Sequence, residues 1–287
     1  MLRIVAIQAV IQRQEHMKSL VGSKARDARR VQVQYDLVQG SSEKRVLVID
    51  VGGNSVKCLA TGEKVARSFK SGPRLSPQVM VSRVRKLARD WTYEVVSIGY
   101  PGPVLAGRVV AEPPNLGRGW IGFDFARSFG CPVKVVNDAA MQALGSYKGG
   151  KMLFLGLGTG LGTAMIVEGI VAPMELSHLP YKKKTYEYYV GRAGLKRVGK
   201  KKWNRHVADI VRRLIAALQP DETVVGGGNV TKLEVLPPRC RQGANANAFK
   251  GGFRLWAEDD VVRPSVGQAR TRSKARFARA EERSPTH

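Results

Sequence analysis

Residues 46–57 read VLVIDVGGNSVK. The apolar residues at the start predict a buried strand, and Asp50 with the two glycines after it predicts a tight turn. Gly52 and Gly53 would let backbone N–H groups approach an anion closely, Asp50 could hold a metal ion through water, and Lys57 adds positive charge. An ordinary hairpin turn is the alternative interpretation of the same residues.

Two more glycine-rich turns follow later in the chain. Residues 155–163 read LGLGTGLGT, and residues 224–230 read VVGGGNV. Alternating glycines weaken a strand because they have no side chains to pack. Their presence therefore suggests a function, such as allowing a ligand to approach the backbone closely. A bulge or a bend is the structural alternative. We expect the third turn to close over a long ligand.

Strand and helix signals alternate around these turns. Ser76 and Pro77 predict the cap and first turn of a helix, and a strand is expected at 95–99. The order partly repeats from a strand at 152–155 to an amphipathic helix at 206–218. Two similar α/β halves, each opening with a strand and a glycine turn, predict an α/β fold with a cleft between the halves.

Composition divides the chain into four regions. We expect a small α/β domain at 44–137 and a large one at 138–257, with the final helix returning to the small domain. Residues 1–43 are expected to be a poorly ordered extension, and residues 258–287 a disordered basic tail. An upstream start codon is one explanation of the first segment, so it need not belong to the natural protein.

The chain is a polycation. It has 287 residues with a formal net charge of +25, and the stretch from Lys44 to Ala257 alone carries 34 basic and 14 acidic residues. Nucleic acid, an anionic membrane and inorganic polyphosphate are all admissible partners for such a charge. No apolar run approaches the roughly 20 residues that cross a bilayer, so we expect no membrane span. Three scattered cysteines form no disulfide framework, which favours a reducing cytoplasm.

Residues 135–145, VVNDAAMQALG, place an Asn–Asp pair at the end of a predicted strand. Parallel sheets carry their reactive groups at this edge, so Asp138 is a candidate catalytic carboxylate. A helix that starts at Ala139 offers another interpretation, in which Asp138 is simply its N-cap.

Residues 174–180, MELSHLP, bring Glu175 and His178 within three positions, and Glu187 follows. Together with the amide of Asn137, these groups could grip a ring of hydroxyls, because each hydroxyl both donates and accepts. A metal site would need more ligands nearby, and a lone histidine is often structural.

In order and spacing these motifs resemble the sugar kinases of the ROK family (repressors, open reading frames and kinases), from about Val46 to Trp256. The family's GxPG corresponds to Gly99–Gly102, and its PNL segment to Pro114–Leu116. The resemblance implies an actin-like, ribonuclease-H-like fold of two domains with a cleft between them. It also implies that Asp138 is the catalytic base.

The resemblance further implies a set of binding residues. Those for the sugar are Gly102, Asn115, Asn137, Glu175, His178 and Glu187. Those for the phosphate donor are Gly52, Gly53, Asn54, Lys57, Gly158, Thr159, Gly160, Gly227 and Gly228, with Mg²⁺ held by Asp50 through water.

Three departures from the family pattern stand out. Asn54 occupies the position of a usual threonine, and Ser177 replaces a glycine. The family's zinc-binding cysteine cluster is absent, and LPYKKKTY occupies its place at 179–186. Without this cluster the chain resembles the polyphosphate glucokinase branch of the family. We therefore expect no structural zinc.

The expected reaction is the transfer of a phosphoryl group to the C6 hydroxyl of glucose. Twelve Lys and Arg residues and only two acids lie within 182–213, which favours polyphosphate as the donor, with ATP as a further possibility, although charge runs are usually solvated faces. The polyphosphate path would follow Lys182, Lys183, Lys184, Lys200, Lys201, Lys202 and Arg205. Family analogy suggests a homodimer.

Other functions compete with this one. A strictly ATP-dependent hexokinase of the same family is the main rival. A sugar-sensing repressor would need a DNA-binding helix-turn-helix, and residues 1–43 lack the glycine turn of that motif, which disfavours nucleic acid as a partner. A catalytically silent sugar-binding protein would not require Asp138 or the glycine turns.

Overall fold

The computed structural model describes residues 44–257 of the chain. The predictions for residues 1–43 and 258–287 lie outside this part. No helix within it is both long and apolar enough to cross a membrane.

The first sheet has five strands. Across the sheet the strands lie in the order β3-β2-β1-β4-β7, and β1, β4 and β7 are parallel to one another. A short hairpin, β5–β6, follows β4. The strands are β1 (Val46–Val51), β2 (Ser55–Ala60), β3 (Arg67–Lys70), β4 (Val95–Tyr100), β5 (Val104–Leu105), β6 (Arg108–Val109) and β7 (Val133–Asn137).

Two helices pack against one another beside this sheet: α1 (Pro77–Leu87) and α2 (Phe125–Phe129). The predicted start of α1 is confirmed, since Ser76 is its N-cap and the side chain accepts a hydrogen bond from the Val79 N–H at 3.4 Å. Its buried face includes Met80 and Val84, which anchor the helix in the core of the first sheet.

The second sheet repeats the strand-and-glycine-turn plan. Its order is β10-β9-β8-β13-β14, and a separate hairpin, β11–β12, precedes the long helix. The strands are β8 (Lys151–Leu157), β9 (Leu161–Val167), β10 (Ile170–Met174), β11 (Pro180–Tyr181), β12 (Lys184–Thr185), β13 (Glu222–Gly226) and β14 (Cys240–Gln242). The α/β fold class is therefore confirmed.

The helix predicted at 206–218 is the second part of a longer one. Helix α3 (Asp138–Ser146) precedes β8, and α4 (Tyr186–Val190) leads directly into α5 (Arg192–Leu218). Gly199, with φ of 75°, kinks α5, which a side chain would resist. The helix ends before Pro220, as predicted, through a left-handed Gln219.

The last described helix, α6 (Asn247–Arg254), packs against α3 and against β1 and β4 of the first sheet. Glycines permit this close packing, because a Cβ on Gly251 would overlap the carbonyl oxygen of Met141. The Ser97 hydroxyl of β4 donates to the Gly252 carbonyl oxygen at 2.6 Å. The domain boundary between 137 and 138 stays a prediction.

Candidate active site

The carboxyl ends of three parallel strands bring the predicted catalytic residues to one edge of the first sheet. Asp50 of β1 is paired in register with Gly99 of β4, and Tyr100 with Asn137 of β7. An added Cβ on Gly99 would lie 3.6 Å from the Cα of Asp138. The register therefore places Asp50 and Asp138 at the same edge of the sheet.

Asn137, and not Asp138, is the N-cap of α3. Its Oδ1 accepts hydrogen bonds from the N–H groups of Ala139 at 2.9 Å and Ala140 at 3.1 Å. Its Nδ2 donates to the carbonyl oxygen of Gly102 at 3.0 Å. The interpretation of Asp138 as the cap is therefore wrong, because Asp138 is the first residue inside the helix.

The surroundings of Asp138 favour its neutral form. Burial raises the pKa of its carboxyl to about 7, and the carboxylates of Asp50 and Glu175 add to the rise, while the Ala139 N–H, donating at 2.7 Å, opposes it. Burial also raises the pKa of Asp50, which Lys57 partly offsets. A carboxyl with a pKa near neutrality suits proton transfer at physiological pH.

The same carboxylates fit a magnesium ion. The Asp50 carboxylate raises the pKa of Asp138 through repulsion, which a cation beside Asp50 would relieve. Mg²⁺ in phosphate-transfer sites takes only one or two carboxylates, with waters and substrate phosphates as its other ligands. Residues 44–257 contain no cluster of three or more His, Cys, Asp or Glu residues that could hold a metal ion. The expectation of no structural zinc stays a prediction.

The first glycine turn is held by its own backbone and faces the PNL segment. The Gly52 N–H donates to the Ser55 carbonyl oxygen at 3.0 Å, and the Ser71 hydroxyl donates to the Gly52 carbonyl oxygen at 2.7 Å. An added Cβ on Gly53 would lie 3.8 Å from the Cβ of Asn115. A predicted donor residue and a predicted sugar residue are thus neighbours, while Lys57 lies opposite Asp50 in the β1–β2 register.

The second and third glycine turns pack on each other. Asn229 donates from Nδ2 to the Gly158 carbonyl oxygen at 2.7 Å and from its backbone N–H to the Leu157 carbonyl oxygen at 2.8 Å. Gly227 has φ of 82°, and an added Cβ there would lie 2.5 Å from the Leu157 oxygen, so a glycine is required. Gly228 is exposed, and an added Cβ would meet open space.

The strand after the second turn touches the start of α3. An added Cβ on Gly162 would lie 2.8 Å from the Cβ of Ala139, which follows Asp138. The donor turn that contains Thr159 and the candidate base are therefore parts of one contiguous region.

The predicted sugar residues Glu175 and His178 lie at a short 3-10 turn, Leu176–His178, after β10. His178 Nε2 and Glu175 Oε2 are 3.8 Å apart, and both side chains are more than half exposed. The Thr163 hydroxyl fixes the turn by accepting the Leu176 N–H at 3.2 Å. Both groups are therefore free to meet a polar ligand.

Glu187 lies between this turn and the second glycine turn. Its helix, α4, packs against the Leu176–His178 turn, and its carboxylate contacts Gly160 so closely that a Cβ there would overlap it. The carboxylate accepts the Leu161 N–H at 3.4 Å. Its predicted contact with a sugar is compatible with this place, but the residue also shapes the donor turn.

Glu112 is a site residue that the sequence reasoning missed. Its carboxylate accepts three backbone N–H groups, from Gly119 at 3.1 Å, Trp120 at 3.2 Å and Ile121 at 3.4 Å. These bonds close the loop that carries Asn115. A single glutamate before a proline pair carries no recognisable pattern, so only the fold could reveal this role.

The seven cations of the predicted polyphosphate path form a group that we call the cationic surface: Lys182, Lys183, Lys184, Lys200, Lys201, Lys202 and Arg205. All seven side chains are exposed. The β11–β12 hairpin, which carries the first three, is fastened to α5 because the Tyr181 hydroxyl hydrogen-bonds to His206 Nδ1 at 3.1 Å and donates to Asp209 at 3.0 Å. The hairpin and the middle of α5 therefore present their charges close together.

Fold and relatives define the class of this chain. The structure has a TM-score of 0.64 with the polyphosphate/ATP-glucomannokinase of Arthrobacter sp. strain KM, at 21% identity over 75% of this chain and 98% of that one. The fold is the actin-like, two-domain fold of sugar kinases.

Sequence relatives give the family. The ROK family model matches residues 46–173. A polyphosphate glucokinase of Mycobacterium leprae (strain TN) is 30% identical over 70% of this chain and 69% of its own length. One of Mycobacterium tuberculosis (strain ATCC 25618 / H37Rv) is 28% identical over 66% of this chain and 80% of its own length. The chain belongs to the ROK family.

Proposed function

We propose that this chain phosphorylates glucose at the C6 hydroxyl, with Asp138 as the general base and inorganic polyphosphate as a donor. The observation that carries the proposal is the position of Asp138, with its pKa raised to about 7, beside Asp50 and next to the strand of the second glycine turn. The names of the mycobacterial relatives support the sugar and the donor.

In this mechanism the sugar lies against Asn115, Asn137, Glu175 and His178, near the backbone of Gly102 and beside Glu187. Asp138 accepts the proton of the C6 hydroxyl as that oxygen forms a bond to the terminal phosphorus. The bond from this phosphorus to the bridging oxygen breaks, and the shortened phosphate chain leaves. Positioning of this kind can supply about 7 to 11 kcal/mol, and a general base about 10² to 10⁴ in rate.

The three glycine turns hold the donor in this proposal. The backbone of Gly52 and Gly53 faces the PNL segment, and the turn at Thr159 lies beside the third turn. Asp50 would hold Mg²⁺ through water, and the bound ion would neutralise the charge that develops on the phosphates.

The cationic surface supports an extended donor. Within residues 44–257, Lys200 alone of its seven cations has an ion-pair partner, the Glu234 carboxylate at 3.8 Å. A nucleoside triphosphate needs only a few cations, whereas a polyphosphate chain can use many along its length. Six cations without a carboxylate partner therefore favour polyphosphate.

One assay tests the proposal. The purified full chain is incubated with glucose and Mg²⁺, with either long-chain polyphosphate or ATP as sole donor, and glucose 6-phosphate is measured. We expect product with polyphosphate. Product with ATP alone would establish the rival ATP-dependent hexokinase, and no product with either donor would refute the kinase assignment for glucose. A homodimer stays a prediction from the family resemblance, and a cytoplasmic location stays a prediction from the three scattered cysteines.

A further inference from the structure

Arg192 is fixed on the second glycine turn by its backbone. It is the first residue of α5, and its N–H donates to the carbonyl oxygen of Thr159 at 3.0 Å.

The side chain of Arg192 reaches the first glycine turn. Its Nη1 donates to Asn54 Oδ1 at 3.5 Å. With the Asn54 amide rotated by 180°, the amide oxygen accepts from both terminal nitrogens, Nη1 at 3.0 Å and Nη2 at 3.2 Å. Arg192 therefore joins two glycine turns that lie more than one hundred residues apart in the chain. Asn54 is also the position where this chain departs from the threonine of the family pattern.

The positive charge of Arg192 is not neutralised by a carboxylate. Among residues 44–257, no Asp or Glu oxygen lies within 4.0 Å of its guanidinium, whereas Arg212 and Arg213 share Asp209, and Arg241 pairs with Glu222. The Asn54 amide leaves the guanidinium with its full charge, and a planar guanidinium suits bidentate binding of phosphate oxygens. An arginine so placed would meet any phosphate chain that lies across both turns.

We propose that Arg192 binds the phosphate donor where the first and second glycine turns meet, and that Asn54 is the positioning residue that aims its guanidinium. The proposal rests on the proposed phosphotransfer function. The ligand is a chain of linked phosphate groups, which either inorganic polyphosphate or the triphosphate of ATP could supply.

Binding without turnover tests the proposal. Titration calorimetry of the full chain with tripolyphosphate, and separately with ATP, compares the wild type with Arg192→Gln. We expect at least about a 10-fold weaker affinity for one or both phosphate ligands, with glucose affinity changed less than about 2-fold, since one bidentate phosphate contact is removed. The ligand whose affinity falls identifies the donor. Unchanged affinity for both would overturn the proposal.

Two further variants separate binding from a merely structural contact. Arg192→Lys keeps the charge and loses the fork, so we expect an affinity between those of the wild type and Arg192→Gln. If the Gln variant fails to fold, the Lys variant should still bind phosphate more weakly than the wild type. Asn54→Ala should weaken phosphate binding, and the double variant with Arg192→Gln should bind no more weakly than Arg192→Gln alone. Additive losses in the double variant would refute the positioning role of Asn54.

A control variant tests whether the loss of any exposed arginine weakens phosphate binding, and product formation tests the proposed function separately. Arg127→Gln removes an exposed arginine at the end of α2 and should leave both affinities unchanged. If the wild type bound tripolyphosphate and yet formed no glucose 6-phosphate, the proposed function would fail while the assignment of Arg192 stood.

Discussion

At the scale of single residues, the reactivity of Asp138 depends on the residue before it. Asn137 accepts the N–H groups at the start of α3, so one carboxylate oxygen of Asp138 needs to satisfy only the Ala139 N–H. A side chain that capped the helix fully would have both its position and its proton affinity set by that helix.

The first prediction concerns the charge of Asp138. Asp138→Asn keeps the size of the side chain and removes the proton acceptor, so turnover should fall at least about 100-fold. Steady-state kinetics with glucose measure the loss, and circular dichroism checks that the fold is kept. Asp124→Asn is a matched control, because Asp124 caps α2 and its side chain accepts the Arg127 N–H. A loss of only a few-fold would remove Asp138 from the role of base.

The second prediction concerns the pH dependence of activity. A general base acts in its ionised form, and burial with the neighbouring carboxylates raises the pKa of Asp138 to about 7. The rate should therefore rise as pH increases through about 7 and level off above it. The pH profile of kcat/KM measures this limb. A rate that stays constant from pH 5 to pH 8 would contradict the assignment.

The third prediction concerns the stability that this raised pKa removes. Because the folded state binds the Asp138 proton more tightly than the unfolded chain does, stability declines as pH rises from about 4 to about 7. At pH 8 the free energy of unfolding of Asp138→Asn should therefore exceed that of the wild type by at least about 1.4 kcal/mol, the value of one pKa unit, and the variant should unfold at a higher temperature. The difference should narrow towards pH 4. Thermal denaturation at pH 5 and pH 8 measures it, and an equal difference at both would contradict the raised pKa.

The role of a residue could be predicted from the sequence where it depends on a local motif. It could not be predicted where it depends on a contact between residues far apart in the chain. The Asn–Asp pair marked the edge of the sheet, but the choice of cap between Asn137 and Asp138 depends on backbone angles that residue types alone do not determine. Arg192 was counted among the cations of 182–213, yet its contact with Asn54 requires the fold, because many residues separate the two.

At the scale of elements, helix α3 is held at both ends. Asn137 caps its start, and at its end Arg254 of α6 donates to the carbonyl oxygens of Leu144 at 2.6 Å and Tyr147 at 3.0 Å. The positive charge also complements the negative end of the helix dipole. The position of Asp138 at the first turn therefore depends on a helix more than one hundred residues later.

The fourth prediction concerns the crossing of α3 and α6. Gly251→Ala would place a methyl group on the carbonyl oxygen of Met141, and backbone atoms cannot move aside cheaply. We expect a loss of about 3 kcal/mol or more in unfolding free energy. Urea denaturation measures it, with Lys250→Ala, an exposed neighbour on the same helix, as the control. A loss below about 1 kcal/mol would show that the helices can separate without cost.

Helices with a regular apolar face were predicted well from the sequence, whereas a helix interrupted by glycines was predicted only in part. Ser76 and Pro77 marked α1 because a cap and a first-turn proline precede a regular apolar face. Helix α5 was predicted only from 206 onward, since Gly194 and Gly199 lower helix propensity in its first part. Gly194 stands there because a Cβ would overlap the carbonyl oxygen of Tyr189, a constraint set by packing against α4.

At the scale of the whole molecule, the charge is uneven in effect. The net charge is +25, but some arginines make contacts within the protein: Arg241 pairs with Glu222, and Arg254 donates to the end of α3. The cationic surface differs because nearly all its charges lack a carboxylate partner in the described part of the chain. Long-range attraction of a polyanion should therefore concentrate there.

The fifth prediction concerns salt. Apparent affinity for polyphosphate should fall steeply as salt is added, while affinity for glucose barely moves, because ionic screening and counterion release affect only the charged ligand. Replacing Lys182, Lys183 and Lys184 by Ala should make the salt dependence shallower. Replacing Arg74, Lys86 and Arg127, three exposed cations near α1 and α2, should not. Equally shallow salt responses for both substrates would refute the surface as a polyphosphate path.

The return of α6 to the first sheet affects how the protein is made. Ribosomes release the chain from its N-terminus, and Val46 and Val48 of β1 are covered in part by α6. Until residue 254 has left the exit tunnel, these side chains lack the cover of α6, although their own sheet was translated long before. Translation speed and nascent-chain chaperones thus bear on the yield of active protein more than they would for a chain whose halves each finish alone.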